Sequence, residues 1–210
     1  MLALVSLALL QGPWIDLFDG KSLSAWKGYK SDQVGPGWKV ENGTFRIVDP
    51  GTAGDIVTKE KFEWFELTLE FNLGKGQNSG ILLRVADGSG EAWHSGPEIQ
   101  LYDHPIQAGV ETTGYLYQLY PLEKDLAKPA GEWNKMRIVV APDKCFMELN
   151  GVRGYEFVWN SPDFLARVAK SKFQEYPEFG KAKTGRIGIQ GDHGLVSFRN
   201  VKVRRIEKAP

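Results

Sequence analysis

Short runs in which apolar and polar residues alternate recur along most of the chain, separated by Gly, Asn, Asp and Pro. Alternation with a period of two gives a β-strand one buried and one solvated face, and many short runs of this kind are typical of an antiparallel sandwich. Asn42-Gly43 and Asn150-Gly151 favour tight hairpins, because both residue types tolerate the positive φ that such turns require. The predicted strands are 38–40, 44–47, 55–58, 65–73, 79–85, 98–102, 115–120, 134–141, 144–149, 186–190 and 196–205.

One segment departs from the strand pattern. Ser161 can cap a helix, and Pro162 fits the first helical position. Phe164 and Val168 repeat at a spacing of four, so we predict one short helix near residues 161–172. The sequence contains no internal repeat or linker-like segment, and residues 13–210 are predicted to form a single all-β sandwich domain.

The charge balance and the composition of the N-terminus limit the binding partners and the cellular compartment that we expect for the protein. Lys and Arg together, and Asp and Glu together, number 26 each, so a broad basic field for nucleic acid is absent. The first ten residues are almost wholly apolar, which resembles the core of a secretory signal and is shorter than the roughly 20 residues of a membrane span. We expect residues 1–12 to be a signal segment, the protein to be exported to the periplasm or beyond the cell, and no stable membrane insertion after the leader is removed. The alternative is an apolar N-terminal strand.

Residues 93–104 carry most of the candidate site. Alternation places Glu98, Gln100 and Tyr102 on one face of a strand, with the apolar residues between them directed to the core. The same spacing assigns Arg84 and Gln190 to the polar faces of two further strands, each beside glycines that leave room for a ligand. If these strands are neighbours, their polar groups line one concave face suited to sugar hydroxyls. The alternative for each residue is a solvated surface without a ligand.

A histidine is the best candidate for proton transfer, because imidazole titrates near neutral pH. His193 follows Asp192 in a glycine-flanked turn, whereas His94 and His104 flank the Glu98 strand. None of the spacings between these histidines, Asp103 and Asp192 matches a zinc signature. We therefore predict no cofactor, and a divalent metal lacks support from the sequence.

Several segments, in order, resemble the 3-keto-disaccharide hydrolase family over about residues 14–205. They are LFDGKSLSAW at 17–26, NSGILLR at 78–84, GPEIQL at 96–101, KPAGEWN at 128–134, GIQGDHG at 188–194 and FRN at 198–200. The resemblance implies a concanavalin A-like jelly-roll sandwich. It also implies hydrolytic or eliminative cleavage of glycosides already oxidised to a ketone at sugar carbon 3.

The chemistry of such a substrate suggests roles for the candidate residues. A carbonyl at carbon 3 acidifies the proton on carbon 2, so a general base can remove that proton and the group on carbon 1 can leave before water adds. We expect His193 or Glu98 to be the base. The predicted substrate-binding residues are Arg84, Gln100, Tyr102, Tyr115, Tyr117, Gln190, Asp192 and His94. The partner is then a glycoside or oligosaccharide.

Two other functions fit the same pattern. A non-catalytic carbohydrate-binding module is compatible with the fold, because a fold does not determine function. Residues 98–103 also approach the acidic motif of retaining glucanases, but Gln100 stands where an acid is expected and Asp103 is shorter than the expected Glu. The glucanase interpretation is therefore the weaker of the two.

Overall fold

The fold consists of two antiparallel β-sheets, which a computed structural model describes for residues 9–88, 90–103 and 112–208. The strands are β1 (Leu9–Gln11), β2 (Ile15–Asp16), β3 (Trp26–Gly28), β4 (Trp38–Glu41), β5 (Thr44–Ile47), β6 (Ile56–Thr58), β7 (Phe65–Leu73), β8 (Asn78–Val85), β9 (Glu98–Tyr102), β10 (Trp133–Val140), β11 (Cys145–Leu149), β12 (Val152–Phe157), β13 (Arg186–Ile189) and β14 (Val196–Lys208). The helices are α1 (Pro50–Ala53) and α2 (Pro162–Val168), with 3-10 turns at Ala92–His94 and Lys172–Glu175.

The two sheets differ in size and in their role. The large sheet has nine strands in the order β12-β11-β10-β7-β14-β5-β4, with β1 and β2 also paired to β14. The small sheet has five strands in the order β3-β6-β13-β8-β9. The predicted antiparallel jelly-roll sandwich is therefore confirmed.

The core forms from the alternate residues that the two sheets direct towards each other. Leu67, Leu69 and Phe71 of β7 are fully buried in the same cluster as Ile81 of β8 and Ile99 of β9. Burying each such side chain contributes about 1.5–3 kcal/mol relative to leaving it in water. Because these positions alternate with the remaining residues of β8 and β9, the other face of the small sheet points outwards.

The short helix predicted near 161–172 is confirmed by α2 and the 3-10 turn after it. Ser161 accepts a hydrogen bond from the backbone N–H of Phe164 at 3.2 Å, as its capping role requires. The second helix, α1, was not predicted. Asp49 caps it by accepting from the backbone N–H of Gly51 at 3.0 Å, and Pro50 occupies its first turn.

The strand predicted at 115–120 is wrong. This segment forms turns with isolated bridges, because Gln118 has a φ of +58° and the chain folds back so that Leu116 pairs with Tyr120. Its first half still lies along the edge of β9, where the backbone N–H of Gln100 donates to the carbonyl of Tyr115 at 2.9 Å. The segment therefore closes one side of the small sheet without extending it as a regular strand.

The N-terminal residues that the structure describes join the large sheet. Leu9–Gln11 pairs with the end of β14, from Leu9 opposite Lys208 to Gln11 opposite Ile206. Residues 1–8 lie outside the described part of the chain, and the signal segment stays a prediction. None of the helices in the described ranges has the length and apolar character needed to cross a membrane.

Candidate active site

A polar cavity of about 190 Å³ lies on the outer face of the small sheet. We call it the Glu98 cavity. Its lining residues are Asn78, Trp93, Glu98, Gln100, Tyr117, Lys172, Gln190 and His193. Five of these were predicted from the sequence, namely Glu98, Gln100, Tyr117, Gln190 and His193, and the structure brings them together from β9, from the chain beyond β13 and from the loop beside β9.

The pairing of β8 with β9 builds the floor of this cavity. Gly80 lies opposite Gln100, and Leu82 lies opposite Glu98. A Cβ atom added to Gly80 would lie 2.7 Å from Cδ of Glu98, so the missing side chain makes room for the Glu98 carboxylate. A Cβ atom added to Gly188 would lie 3.0 Å from Cβ of Leu82, so Leu82 already takes that space. The prediction that these glycines leave room for a ligand is therefore wrong: neighbouring side chains fill the space.

Hydrogen bonds hold the two glutamines of the floor. Gln100, 2% exposed, donates from Nε2 to Oδ1 of Asn78 at 3.0 Å. Gln190, 6% exposed, has its backbone fixed at both ends, because its N–H donates to Gly80 at 3.0 Å and its carbonyl accepts from Ser79 Oγ at 2.7 Å. The side-chain amide of Gln100 and the backbone of Gln190 are thus positioned before any ligand arrives, which lowers the entropy cost of binding.

One side of the Glu98 cavity is aromatic and carries a cation. The backbone N–H of Tyr117 donates to the carbonyl of Glu98 at 2.9 Å, which fixes this loop along β9. Nζ of Lys172 lies 4.5 Å from the ring centroid of Trp93 and 4.6 Å from that of Tyr117. Such cation–π contacts contribute about 0.5–1 kcal/mol at exposed sites and hold the ammonium group above the cavity.

The pair formed by Asp192 and His193 lies at the opposite side. Nδ1 of His193 donates to the carboxylate of Asp192. This hydrogen bond raises the pKa of His193, and the nearby charges of Glu98 and Asp55 raise it further, against the opposing effect of partial burial. With Nδ1 committed to Asp192, Nε2 is the ring nitrogen that can act on a ligand.

A second cavity, of about 330 Å³, adjoins this pair, and we call it the Tyr29 cavity. Asp192 lines it together with Asp55, Glu91 and residues of the loop after β3. Asp55 accepts a hydrogen bond from the backbone N–H of Gly191 at 3.0 Å and so anchors the turn that carries His193. Burial raises the pKa of Asp55 to about 6, because the charged carboxylate loses hydration that the Gly191 hydrogen bond only partly replaces.

Arg84 does not belong to the Glu98 cavity, so the prediction that it shares a face with Glu98 and Gln100 is wrong. A bulge in β8 opposite β13, where Arg84 has a φ of +52°, breaks the alternation. The side chain is 3% exposed, and its guanidinium lies between two indole rings, 4.2 Å from Trp64 and 4.7 Å from Trp159. Its Nε donates to the carbonyl of Glu63 at 2.8 Å. Arg84 therefore has a structural role.

Other predicted site residues also lie elsewhere. Tyr102 and Asp103 border a separate cavity, in which Asp103 accepts from the backbone N–H of Gly76 at 2.8 Å. His94 stacks on Tyr176 with ring centroids 4.2 Å apart and lines a fourth cavity. Tyr115 is not among the lining residues of the Glu98 cavity, and its ring centroid lies 6.3 Å from that of Tyr117. His104 lies outside the described residues.

Three residues of the Glu98 cavity were not predicted as site residues. Asn78 begins β8, and its place in the segment 78–84 was a usable signal. Trp93 and Lys172 come from two separate 3-10 turns, and nothing in the local sequence indicates that the turns meet. Within the described ranges, the structure contains no group of three or more His, Cys, Asp or Glu side chains that is arranged to hold a metal ion. The absence of a cofactor stays a prediction.

Sequence comparison identifies relatives that match most of the chain. Residues 13–204 match the model of the 3-keto-alpha-glucoside-1,2-lyase-like domain. A 3-keto-disaccharide hydrolase from Bacteroides thetaiotaomicron is 30% identical over 92% of this chain and 79% of its own length.

Solved structures share the fold. A protein from Parabacteroides distasonis assigned to the glycosyl hydrolases superposes with a TM-score of 0.81 at 29% identity, covering 93% of this chain and 94% of its own. The β-glucanase of Bacillus licheniformis gives a TM-score of 0.52 at 11% identity, covering 92% of this chain and 97% of its own. At that identity the likeness concerns the fold alone.

The substitution Gly80→Ala tests the packing beneath Glu98. The added methyl group would occupy the position of the Glu98 carboxylate, so we expect a loss of about 1–3 kcal/mol in the free energy of unfolding. Gly88→Ala is the matched control, because its Cβ would meet nothing closer than Tyr29 Oη at 3.9 Å. Urea unfolding measures both variants. Equal stability of the two would contradict this account of the floor.

Replacing Asp55→Asn tests the buried carboxyl group. Its folded-state pKa of about 6 lies above the ordinary value of 3.8 for this group. The stability that the group contributes to the wild type is therefore present at acid pH and is lost as the pH rises through 6. Asn keeps an acceptor for Gly191 without the charge. We therefore expect the variant to gain stability relative to wild type from about pH 4 to pH 8, by up to about 3 kcal/mol.

Asp87→Asn is the control, because we expect it to lose stability where Asp55→Asn gains it. Hydrogen bonds from Arg186 and Lys61 lower the pKa of Asp87, so its stabilising contribution is already complete above its unfolded-state pKa. This variant should be less stable than wild type by the same amount at about pH 5 and pH 8. Urea unfolding across this range measures both. A pH-independent difference for Asp55→Asn would show that its carboxyl group titrates normally.

Proposed function

The chain belongs to the 3-keto-alpha-glucoside-1,2-lyase-like family, and we propose that it cleaves glycosides that carry a ketone at carbon 3 of the sugar. The observation that carries the proposal is the position of His193. Its ring is paired with Asp192 and lines the same cavity as Glu98, the glutamines Gln100 and Gln190, and the Lys172 ammonium group. A base, hydrogen-bond donors and a positive charge are the groups that removal of a proton next to a carbonyl requires.

The first step is removal of the proton on carbon 2. We assign it to Nε2 of His193, since Asp192 holds the proton on Nδ1 and stabilises the imidazolium that forms. The electron pair of the C–H bond moves to the carbon 2–carbon 3 bond, and the ketone oxygen becomes an enolate. Because Asp192 raises the pKa of His193, the ring is a stronger base than an isolated imidazole.

The negative charge on the enolate oxygen must then be stabilised by a positive charge or by hydrogen-bond donors. Nζ of Lys172 supplies a positive charge at the edge of the cavity, held there by Trp93 and Tyr117. Gln100 donates one amide N–H to Asn78, and its amide group carries a second that can reach a ligand oxygen. Preorganised donors of this kind are commonly worth several kcal/mol in the transition state.

Collapse of the enolate expels the group on carbon 1. The ketone re-forms, a double bond joins carbons 1 and 2, and the departing oxygen takes the proton carried by His193. Water then adds to carbon 1 while carbon 2 regains a proton, which completes a net hydrolysis. If the intermediate leaves before water adds, the reaction ends as an elimination.

The retaining glucanase alternative has no support from the geometry. Its two carboxylates would have to face each other about 5–5.5 Å apart. Glu98 lines one cavity, whereas Asp103 borders another and accepts from Gly76. A carbohydrate-binding module is the alternative that an assay must separate from catalysis.

The decisive assay compares a chromogenic 3-keto-glucoside with the same glucoside unoxidised. We expect release from the oxidised compound alone, and a loss of at least about 100-fold in kcat/KM for His193→Ala, since a general base typically contributes that much. Exchange of the carbon 2 proton with D₂O, followed by NMR, should be lost in the same variant. Glu98→Gln tests Glu98 as the alternative base. Its control is Glu156→Gln, which alters a carboxylate on β12 of the large sheet.

Three results would overturn parts of this proposal. Release from neither compound, with binding retained, indicates a binding module. Release from the unoxidised glucoside indicates an ordinary glycosidase. Exchange that survives in His193→Ala and disappears in Glu98→Gln would make Glu98 the base.

Asp192→Asn tests whether the hydrogen bond between Asp192 and His193 sets the pKa of the base. Loss of the carboxylate lowers the pKa of His193, so the acid limb of kcat/KM should move to lower pH while the maximum rate falls. The pH profile of the variant is compared with that of Asp103→Asn, which alters a carboxylate outside the Glu98 cavity. An acid limb that stays in place would show that Asp192 does not act on the titrating group.

A further inference from the structure

We propose that the Tyr29 cavity is a second sugar subsite, which receives the leaving group on carbon 1 as an uncharged, polyhydroxylated ring. This inference rests on the proposed function. It extends that function by identifying where the second half of the substrate lies and which chemical class it belongs to.

Size is the first argument. Pockets that enclose a whole drug-sized ligand have volumes of about 300–1,000 Å³. The Glu98 cavity, at about 190 Å³, falls below this range and has room for only part of a disaccharide. The Tyr29 cavity adds about 330 Å³. Together the two cavities reach the volume that a two-ring ligand needs.

Position is the second argument. Asp192 lines the Tyr29 cavity, and His193, to which its carboxylate is hydrogen-bonded, lines the Glu98 cavity. Glu98, from one cavity, and Asp55, from the other, are both close enough to His193 for their charges to raise its pKa. A bond cleaved at this imidazole would join a group in one cavity to a group in the other.

The lining of the Tyr29 cavity suits a sugar ring. Tyr29 packs against the outward-facing apolar cluster of Val57, Leu82, Val85 and Ala92, and its hydroxyl donates to the carbonyl of Ala86 at 3.3 Å. Ser31, Gln33 and three carboxylates supply acceptors and donors around it. An aromatic face beside convergent polar groups matches the apolar and hydroxyl surfaces of a sugar.

The charge in the Tyr29 cavity selects against anionic leaving groups. Asp55, Glu91 and Asp192 line it, and Lys30, which also lines it, is engaged with Glu91 at 2.9 Å. A phosphate or uronate would meet repulsion here, whereas neutral hydroxyl groups can donate to these carboxylates. The same arrangement distinguishes a neutral sugar from a sugar acid.

The walls of this cavity are rigid enough to discriminate. A Cβ atom at Gly28 would lie 2.7 Å from the carbonyl oxygen of Gln33, and one at Gly35 would lie 2.9 Å from the carbonyl carbon of Ala53. The loop after β3 is therefore packed closely on itself and on α1. A preformed wall of this kind binds without first paying for loop ordering.

The test fills the Tyr29 cavity and compares two substrates. Gln33→Trp places a large ring in the cavity from an exposed position, and Tyr29→Ala removes the aromatic wall as a second, independent variant. The substrates are a neutral 3-keto-disaccharide and methyl 3-keto-glucoside, whose leaving group needs no subsite. We expect kcat/KM for the disaccharide to fall at least about 10-fold, which corresponds to about 1.4 kcal/mol, and the methyl glycoside to change by less than about 2-fold.

Lys128→Trp is the matched control. It adds the same ring beside the separate cavity of Tyr102 and Asp103, of about 260 Å³, and should leave the ratio between the substrates unchanged. Equal effects of Gln33→Trp on both substrates, or no effect on either, would overturn the subsite. So would cleavage of a 3-keto-disaccharide with a uronate leaving group as fast as that of the neutral one.

Failure of the proposed function is recognised separately. If wild-type protein cleaves neither oxidised substrate, catalysis on 3-keto-glycosides is refuted. Titration calorimetry then decides the subsite with unoxidised disaccharide and methyl glucoside. Tighter binding of the disaccharide that Gln33→Trp abolishes would support the second sugar position, and equal affinities would overturn it.

Discussion

The pairing of β8 with β9 is the constraint on which the site depends. Ile81 and Ile99 lie opposite each other in this pair and are both buried between the sheets. Because side chains alternate along a strand, that burial forces Glu98 and Gln100 to the outer face. A slip of one residue would bury the carboxylate and expose the isoleucines, so the hydrophobic core itself fixes the register of the polar floor.

The outer face of the small sheet is divided into two halves with different roles. Val57, Leu82, Val85 and Ala92 form an apolar cluster that Tyr29 and Trp93 cover. Beside it lies the polar floor of Glu98, Gln100 and Gln190. Trp93 belongs to both, since its ring packs on the apolar cluster and also lines the Glu98 cavity. Packing on the apolar cluster therefore helps to place the Trp93 wall of the Glu98 cavity.

The sequence predicted the parts of the site that follow from local alternation. Glu98 and Gln100 share a strand face, and Gln190 and His193 follow a neighbouring strand, so their convergence needed only the pairing of β8 with β9 and β13. Arg84 was misplaced because a bulge reverses its side, and a bulge leaves no period of its own in the sequence. Lys172 and Trp93 were missed because they meet through long-range packing of two 3-10 turns, which no short-range pattern encodes.

The electrostatics around His193 link function to a cost in stability. Asp192, Glu98 and Asp55 all raise the pKa of this imidazole, which makes it a stronger base. Burial, with a smaller effect from the charges of Asp192 and Glu91, raises the pKa of Asp55, so the folded protein holds an unfavourable charge at neutral pH. A neutral side chain at position 55 would relieve that cost but would withdraw negative charge from the base. The carboxylate of Asp55 thus lowers the stability of the fold at neutral pH while it strengthens the base at His193.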